Sequence, residues 1–290
     1  MDNILKHWGL SGESIKEIYK SKYNSTWDIN GQYILKHNPN TEQLSDNIRL
    51  ANFLAAENIP AVTYIKTTNG EWTTLDGKYC LMEKLKGVHV DFHENPEAIH
   101  ELGRGLAQLH IALAKMELEI QCQDSDLLAE WRDWIKPGLA NVSNEVVEQT
   151  EVWLSKQYKK LPRQPIHRDV HSHNIFFDDG KISGWVDFDL TQKNARIFDL
   201  AYLLGGLLAG KTDTPAKIEL WKAIYRDLLA GYNKVNLLTS EETEALPLLM
   251  ITIELLFVTY WDNNQNDNER NKAIALAEWL YNNCKEGAVK

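Results

Sequence analysis

The residues best suited to chemistry lie in one stretch, HRDVHSHNIFFDDGKISGWVDFDLTQKNARIFDLAYLL, residues 167–204. Asp169 and Asn174 stand on what reads as a loop. Asp187 follows at the end of a short hairpin whose turn is Asp178-Asp179-Gly180. Such an order brings three oxygen-bearing side chains together from two neighbouring elements. Phosphoryl transfer calls for that set. One carboxylate orients and deprotonates the attacking hydroxyl, while an amide and a second carboxylate hold Mg²⁺ against the phosphates, because hard oxygen ligands suit that ion. His167, Asp169, His171 and His173 also admit a second reading, a transition-metal cluster in a metal-dependent hydrolase. That reading leaves Asn174 and Asp187 without a role.

The segment resembles the catalytic core of the aminoglycoside phosphotransferase and choline kinase family, small-molecule relatives of the protein kinases. The family pattern His-Gly-Asp-x-His-x-x-Asn, followed by a hairpin and Ile-Asp-Phe/Trp, is met by His167, Asp169, His171, Asn174 and Asp187. Its later Asp-Leu-Ala is met by Asp199-Leu200-Ala201. Arg168 and His173 stand where the family usually has glycine, and Arg168 makes the local sequence His-Arg-Asp.

The resemblance implies an α+β, protein-kinase-like bilobal fold, with an N-terminal antiparallel sheet and one helix before a mostly helical C-terminal lobe. It makes Asp169 the catalytic base and Asn174 and Asp187 the metal ligands. Asp199 accepts hydrogen bonds at a helix start and buttresses the loop, supported by His167 and His171. ATP and Mg²⁺ are the implied cofactors, with GTP left open. The acceptor is a hydroxyl on a small molecule, and an aminoglycoside-like compound is the first expectation. The alternative is a catalytically inactive nucleotide-binding protein on the same fold.

The elements that must position these residues are legible in part. Asn30-Gly31 between STWDI and QYILK is a strong hairpin signal, because both turn residues tolerate positive φ. Strands are expected over residues 14–19, 25–29, 32–36, 61–67, 71–75 and 78–85. A helix is expected over residues 41–57, where Leu44, Ile48, Ala51, Leu54 and Ala55 recur at three- and four-residue steps and Thr41 serves as N-cap. From Pro96 onward the chain reads as helices, interrupted by one β island at residues 174–188. The nucleotide-binding lobe is expected over residues 1–85 and the catalytic, substrate-binding lobe over 86–290.

By the same resemblance, Lys36 at the end of the second hairpin strand pairs with the nucleotide phosphates. The loop 21–25 covers them, with the Ser25 hydroxyl among the donors. The helix should offer Lys36 an acid, but Asn47 falls at that position and Glu42 and Asp46 are the nearby alternatives. Adenine is expected to bond backbone groups of Glu83 and Leu85, with Met82 against the ring. Trp261-Asp262, with Asp267 and Glu269, is placed near the acceptor by analogy with C-terminal helices that build the substrate pocket.

Composition sets the frame. The chain has 290 residues, 43% apolar and 25% charged, enough for a substantial core. Its net charge of −10 argues against a nucleic-acid partner and suits a cationic acceptor. Three widely spaced cysteines, Cys80, Cys122 and Cys284, form neither a disulfide framework nor a zinc pattern, so a reducing cytoplasm is expected. No secretory signal is apparent, and the apolar run near residues 200–209 is too short to cross a membrane.

Overall fold

The computed structural model describes residues 1–21, 24–116 and 122–284. In chain order the elements are α1 (Asp2–Leu5), β1 (Ile15–Lys20), β2 (Ser25–Ile29), β3 (Tyr33–His37), α2 (Thr41–Ala56), β4 (Tyr64–Ile65), β5 (Tyr79–Glu83) and α3 (Ala98–Met116). There follow α4 (Leu127–Glu130), α5 (Asn144–Lys156), β6 (Arg163–Ile166), β7 (Ile175–Asp178), β8 (Lys181–Trp185), β9 (Gln192–Ala195), α6 (Ile197–Leu208), α7 (Pro215–Asn233), α8 (Ser240–Asn263) and α9 (Asp267–Cys284). The chain divides into two compact units. The first comprises residues 1–89 and 174–189, the second residues 90–173 and 190–290.

The first unit is built on an antiparallel sheet of order β1-β2-β3-β5-β4. β2 and β3 pair from Ile29↔Tyr33 back to Ser25↔His37, across a turn where Asn30 and Gly31 take φ 56° and 70°. Strand alternation sorts the faces. Leu35, Leu81 and Ile29 pack with Leu5 and Trp8 on one side. Cys80 and Met82 pack with Leu44, Ile48 and Ala51 of α2 on the other, with Ile34 against them. Lys36, two residues after Ile34, therefore rises on the α2 face.

Three details of this unit differ from the sequence expectation. The N-cap of α2 is Asn40, whose side chain accepts from the Gln43 N–H; Thr41 is the first helical residue. Residues 71–75 are not a strand. Turn bonds close them instead, with Thr67 N–H on the Glu71 carbonyl, Thr74 N–H on the Tyr79 carbonyl and Gly77 N–H on the Thr74 carbonyl. Of residues 61–67, only Tyr64 and Ile65 extend as β4.

The hairpin β7–β8 belongs to the first unit. Val88 and Phe177 exchange both backbone hydrogen bonds at 2.9 Å, and the Trp185 N–H donates to the Pro60 carbonyl at 3.0 Å. Gly87 makes the first contact feasible. Its φ is +98°, and a Cβ there would fall 2.2 Å from the Phe177 oxygen.

The second unit is helical apart from the short pair β6–β9. Neither strand stands out in sequence, because RQPI and QKNA lack apolar alternation. α4 continues into a π-helical turn at Trp131–Ile135. α8 is fixed at its start by a capping box between Thr239 and Glu242. Glu242 also accepts from Arg196 Nε and Nη2, both at 2.6 Å, which ties the start of α6 to the start of α8. By length and composition α8 passes for a membrane span, but 67% of its apolar window is buried inside the protein, as in a core helix.

Candidate active site

Within the first unit, the register pair Lys36↔Cys80 holds Lys36 near the end of β3. Its ammonium lies 3.1 and 3.2 Å from the two carboxylate oxygens of Asp189 and 3.6 Å from Asp187. Burial disfavours the charge, but Asp189 first and Asp187 second outweigh it, and the lysine pKa is raised. The acid facing Lys36 is thus neither Glu42 nor Asp46. It comes from beyond the hairpin, two residues after Asp187.

α2 contributes amides in place of an acid. Asn47 donates its side-chain N–H to Asp189 Oδ1, and Gln43 Nε2 donates to the Asp189 backbone carbonyl at 3.0 Å. Asn47 at the expected acid position is therefore one bond removed from the lysine.

Asn174 and Asp187 flank the hairpin. The Ile175↔Trp185 pairing sets the strand ends opposite each other, and the Asn174 carbonyl accepts the Val186 N–H at 3.1 Å. Asp187 takes φ +63°, and its side chain is 50% exposed, against 18% for Asp189. An amide oxygen and a half-exposed carboxylate from adjoining backbone fit the donor chemistry of a divalent cation whose other ligands are phosphate and water.

The connector leaves one edge open. The Glu83 N–H donates to the Thr63 carbonyl and the Lys84 N–H to the Gln32 carbonyl, both at 2.9 Å. Among the described residues the Leu85 N–H meets no acceptor, which suits an adenine edge. Met82 is 7% exposed and sits in the α2-side core. Ser25 opens β2 opposite Lys20 and His37. In the loop before it, Ser21 and Asn24 close on each other through the Ser21 N–H to the Asn24 carbonyl at 2.8 Å and the Asn24 N–H to Ser21 Oγ at 2.9 Å. Lys22 and Tyr23 lie outside the described residues.

In the second unit Asp199 is fully buried at the start of α6. Its Oδ2 accepts the His167 N–H at 2.9 Å and lies 3.0 Å from His110 Nε2, and its Oδ1 accepts the Arg168 N–H at 2.7 Å. His110 Nδ1 in turn meets the Tyr232 hydroxyl at 2.8 Å. Arg168 takes φ +69°, which explains glycine at this place in the family pattern. Its guanidinium pairs with Glu130 at 3.0 Å.

Asp169 follows. Its Oδ1 accepts the Tyr202 hydroxyl at 2.7 Å, and its Oδ2 lies 3.4 Å from His171 Nε2. The His173 N–H donates to His171 Nδ1 at 3.2 Å, so the histidine carries its proton on Nε2, toward Asp169. Burial pushes the Asp169 carboxyl up, but the hydrogen bonds from His171 and Tyr202 overcome it and bring it down to about 2. The carboxylate is an anion at any working pH. His167 is fully buried, and its Nδ1 faces the Asp169 N–H at 3.3 Å.

The acids suggested near the acceptor carry ion pairs of their own. Asp262 and Asp267 both pair with Arg270, and Glu269 pairs with Lys272. Among the described residues no group of three or more His, Cys, Asp or Glu is arranged to hold a metal, so the histidine-rich hydrolase reading has no geometry behind it.

A sequence model described as "Phosphotransferase enzyme family" matches residues 15–240. The homoserine kinase of Azorhizobium caulinodans is 32% identical over 257 residues, covering 83% of this chain and 71% of that protein. Among solved structures, an amicoumacin kinase in complex with AMP-PNP, Ca²⁺ and its antibiotic superposes with a TM-score of 0.73 at 16% identity, covering 94% of this chain and 91% of that one. The GDP and kanamycin complex of an aminoglycoside phosphotransferase gives 0.70 at 13% identity, covering 97% of each chain. The chain belongs to the phosphotransferase enzyme family. It is a small-molecule kinase with a hydroxyl acceptor, on an α+β, protein-kinase-like fold.

Proposed function

We propose that the enzyme transfers the γ-phosphoryl group of ATP, with Mg²⁺, to the hydroxyl of a small amino alcohol, and that homoserine is the first acceptor to test. The observation that carries the reading is the Asp169 carboxylate, kept anionic by Tyr202 and His171. An anion so held orients an acceptor hydroxyl by taking its hydrogen bond, and receives the proton as the oxygen bonds to phosphorus. Asp199 fixes the backbone of the two preceding residues and so the direction of that carboxylate.

Lys36 steadies the phosphates, and Asp189 holds it in place. Asn174 and Asp187 are the residues that would hold Mg²⁺, which neutralises phosphate charge when bound. The Leu85 N–H and the Glu83 carbonyl serve the nucleotide base, and Ser25 the phosphates.

Relatives named homoserine kinase, more similar in sequence than the antibiotic kinases whose fold is shared, move the first acceptor from an aminoglycoside to a small amino alcohol. An aminoglycoside stays in the panel, favoured by the net charge of −10. Buried thiols at Cys80 and Cys284 agree with a reducing cytoplasm as the working compartment.

The test is a coupled ADP-release assay with ATP or GTP against homoserine, ethanolamine, choline, sugars and kanamycin. Turnover with a small amino alcohol supports the reading. Turnover with kanamycin alone redirects the acceptor, and tight nucleotide binding without turnover on any acceptor favours the inactive alternative.

A further inference from the structure

α8 carries one acid inside the apolar run LPLLMITIELLFVTYW, and that acid, Glu254, is 6% exposed. A carboxyl taken from water is costly unless paired or hydrogen-bonded. Among the described residues the Glu254 carboxyl meets no hydrogen-bond donor and no cationic side chain. Burial alone raises it to about 8.

Its surroundings are specific. Gly205, one turn after Tyr202 on α6, leaves room for it. A Cβ at 205 would come 2.9 Å from Glu254 Oε1. Glu254 also lies close enough to Tyr202 to add to the upward shift of the phenol, after burial and the stronger effect of Asp169. One turn along α8, Phe257 packs on Tyr202 with ring centroids 5.8 Å apart, and Tyr260 and Trp261 continue the aromatic row. The same tyrosine thus bonds Asp169 and lies within electrostatic reach of a buried, unpartnered carboxyl.

We propose that Glu254 is a specificity-determining residue that binds the protonated amine of the acceptor, while the acceptor's hydroxyl is held at Asp169. The inference rests on the kinase reading above and deepens it. An ammonium supplies what the site lacks, a positive charge with several donors. A site with a buried carboxyl strongly rejects an analogue lacking the partner group, since the carboxyl is then left unpaired.

The test compares acceptors that differ only in the amine: L-homoserine with 4-hydroxybutanoate, and ethanolamine with ethanol. The wild type is expected to prefer the amine of the better pair by tenfold or more in kcat/KM. Glu254→Gln, isosteric and uncharged, should cut that preference at least tenfold, mainly through KM. Glu254→Asp should keep part of it, and Gly205→Ala, which crowds the carboxyl, should lose part of it. Glu244→Gln, on the exposed side of α8, should leave it intact. Should Glu254→Gln not fold, the other two substitutions carry the comparison. A wild type active on the pairs but indifferent to the amine, or substitutions at 254 and 205 that leave the preference unchanged, would overturn the inference alone. A wild type that turns over none of these acceptors removes the small-amino-alcohol reading and this inference with it.

Discussion

The Lys36 ammonium and the Asp189 carboxylate form the shortest charge pair around the candidate nucleotide lysine, at 3.1 and 3.2 Å, while Asp187 stands farther off at 3.6 Å. The two acids therefore divide their duties. Asp189, 18% exposed and fixed by Asn47 and Gln43, holds the lysine, and Asp187, 50% exposed, is the acid proposed as a metal ligand.

Asp189→Ala leaves a largely buried lysine with one distant partner. Breaking a buried pair by removing one member costs about 3–5 kcal/mol, and partial exposure here reduces that to ~2 kcal/mol. We expect that loss in chemical denaturation, together with weaker ATP binding. A variant as stable as wild type with unchanged ATP affinity would remove Asp189 from the role assigned to it.

Asp187→Ala should act differently, because little of the lysine's restraint depends on it. We expect wild-type stability within ~1 kcal/mol, the scale of an exposed ion pair, and a marked loss of Mg²⁺-dependent ATP affinity. Titration of ATP with and without Mg²⁺ separates the two. Equal affinity for Mg·ATP in variant and wild type would count against the metal assignment.

Tyr202→Phe removes the 2.7 Å hydrogen bond to Asp169 without changing the ring. A hydrogen bond to a charged group is worth about 1.5–3 kcal/mol, so kcat should fall roughly 10–100-fold with little change in ATP binding. The pH dependence follows from the lowered Asp169 pKa. The carboxyl titrates near 3.8 when unfolded and near 2 when folded, so its contribution to stability is present above ~pH 4 and is lost as pH falls toward 2. Wild-type kinetics should show no acid limb from Asp169 above ~pH 4. In Tyr202→Phe the carboxyl should titrate higher, and the acid loss of stability should be smaller. Identical acid-unfolding curves would contradict this.

Arg168→Gly offsets two effects. It relieves a left-handed conformation that costs an L-residue about 1–2 kcal/mol, and it loses the Glu130 ion pair. The backbone bond to Asp199 survives, so stability should stay within ~1 kcal/mol of wild type. Arg168→Val, with no ion pair and a branched side chain at φ +69°, should be clearly less stable. The reverse order would mean that the arginine side chain, and not the backbone, governs the position.

Where local chemistry decides structure, the sequence was readable. Asn30-Gly31 marked the β2–β3 turn, and the spacing of Leu44, Ile48, Ala51 and Leu54 marked α2. The motif from His167 to Asp199 marked the family. Long-range pairing decided the rest. Nothing local distinguishes Asp189 from other acids, and its lysine lies at position 36, 153 residues earlier in the chain. Residues 71–75 looked like a strand by composition, but turn hydrogen bonds to their own neighbours won. β6 and β9 leave no mark in the sequence because their residues carry no alternation. Glu254, a lone acid in an apolar helix, is a signal the sequence does carry, since its burial is costly enough to require a reason.

The most direct measurement is steady-state ADP release with Mg²⁺ and ATP by wild type and Asp169→Asn, alongside ATP affinity for both. Turnover by wild type on a small amino alcohol, cut roughly 10²-fold or more in the variant while ATP binds equally well, is the predicted result. A variant that turns over the same acceptor at a rate near wild type would contradict the account at its centre.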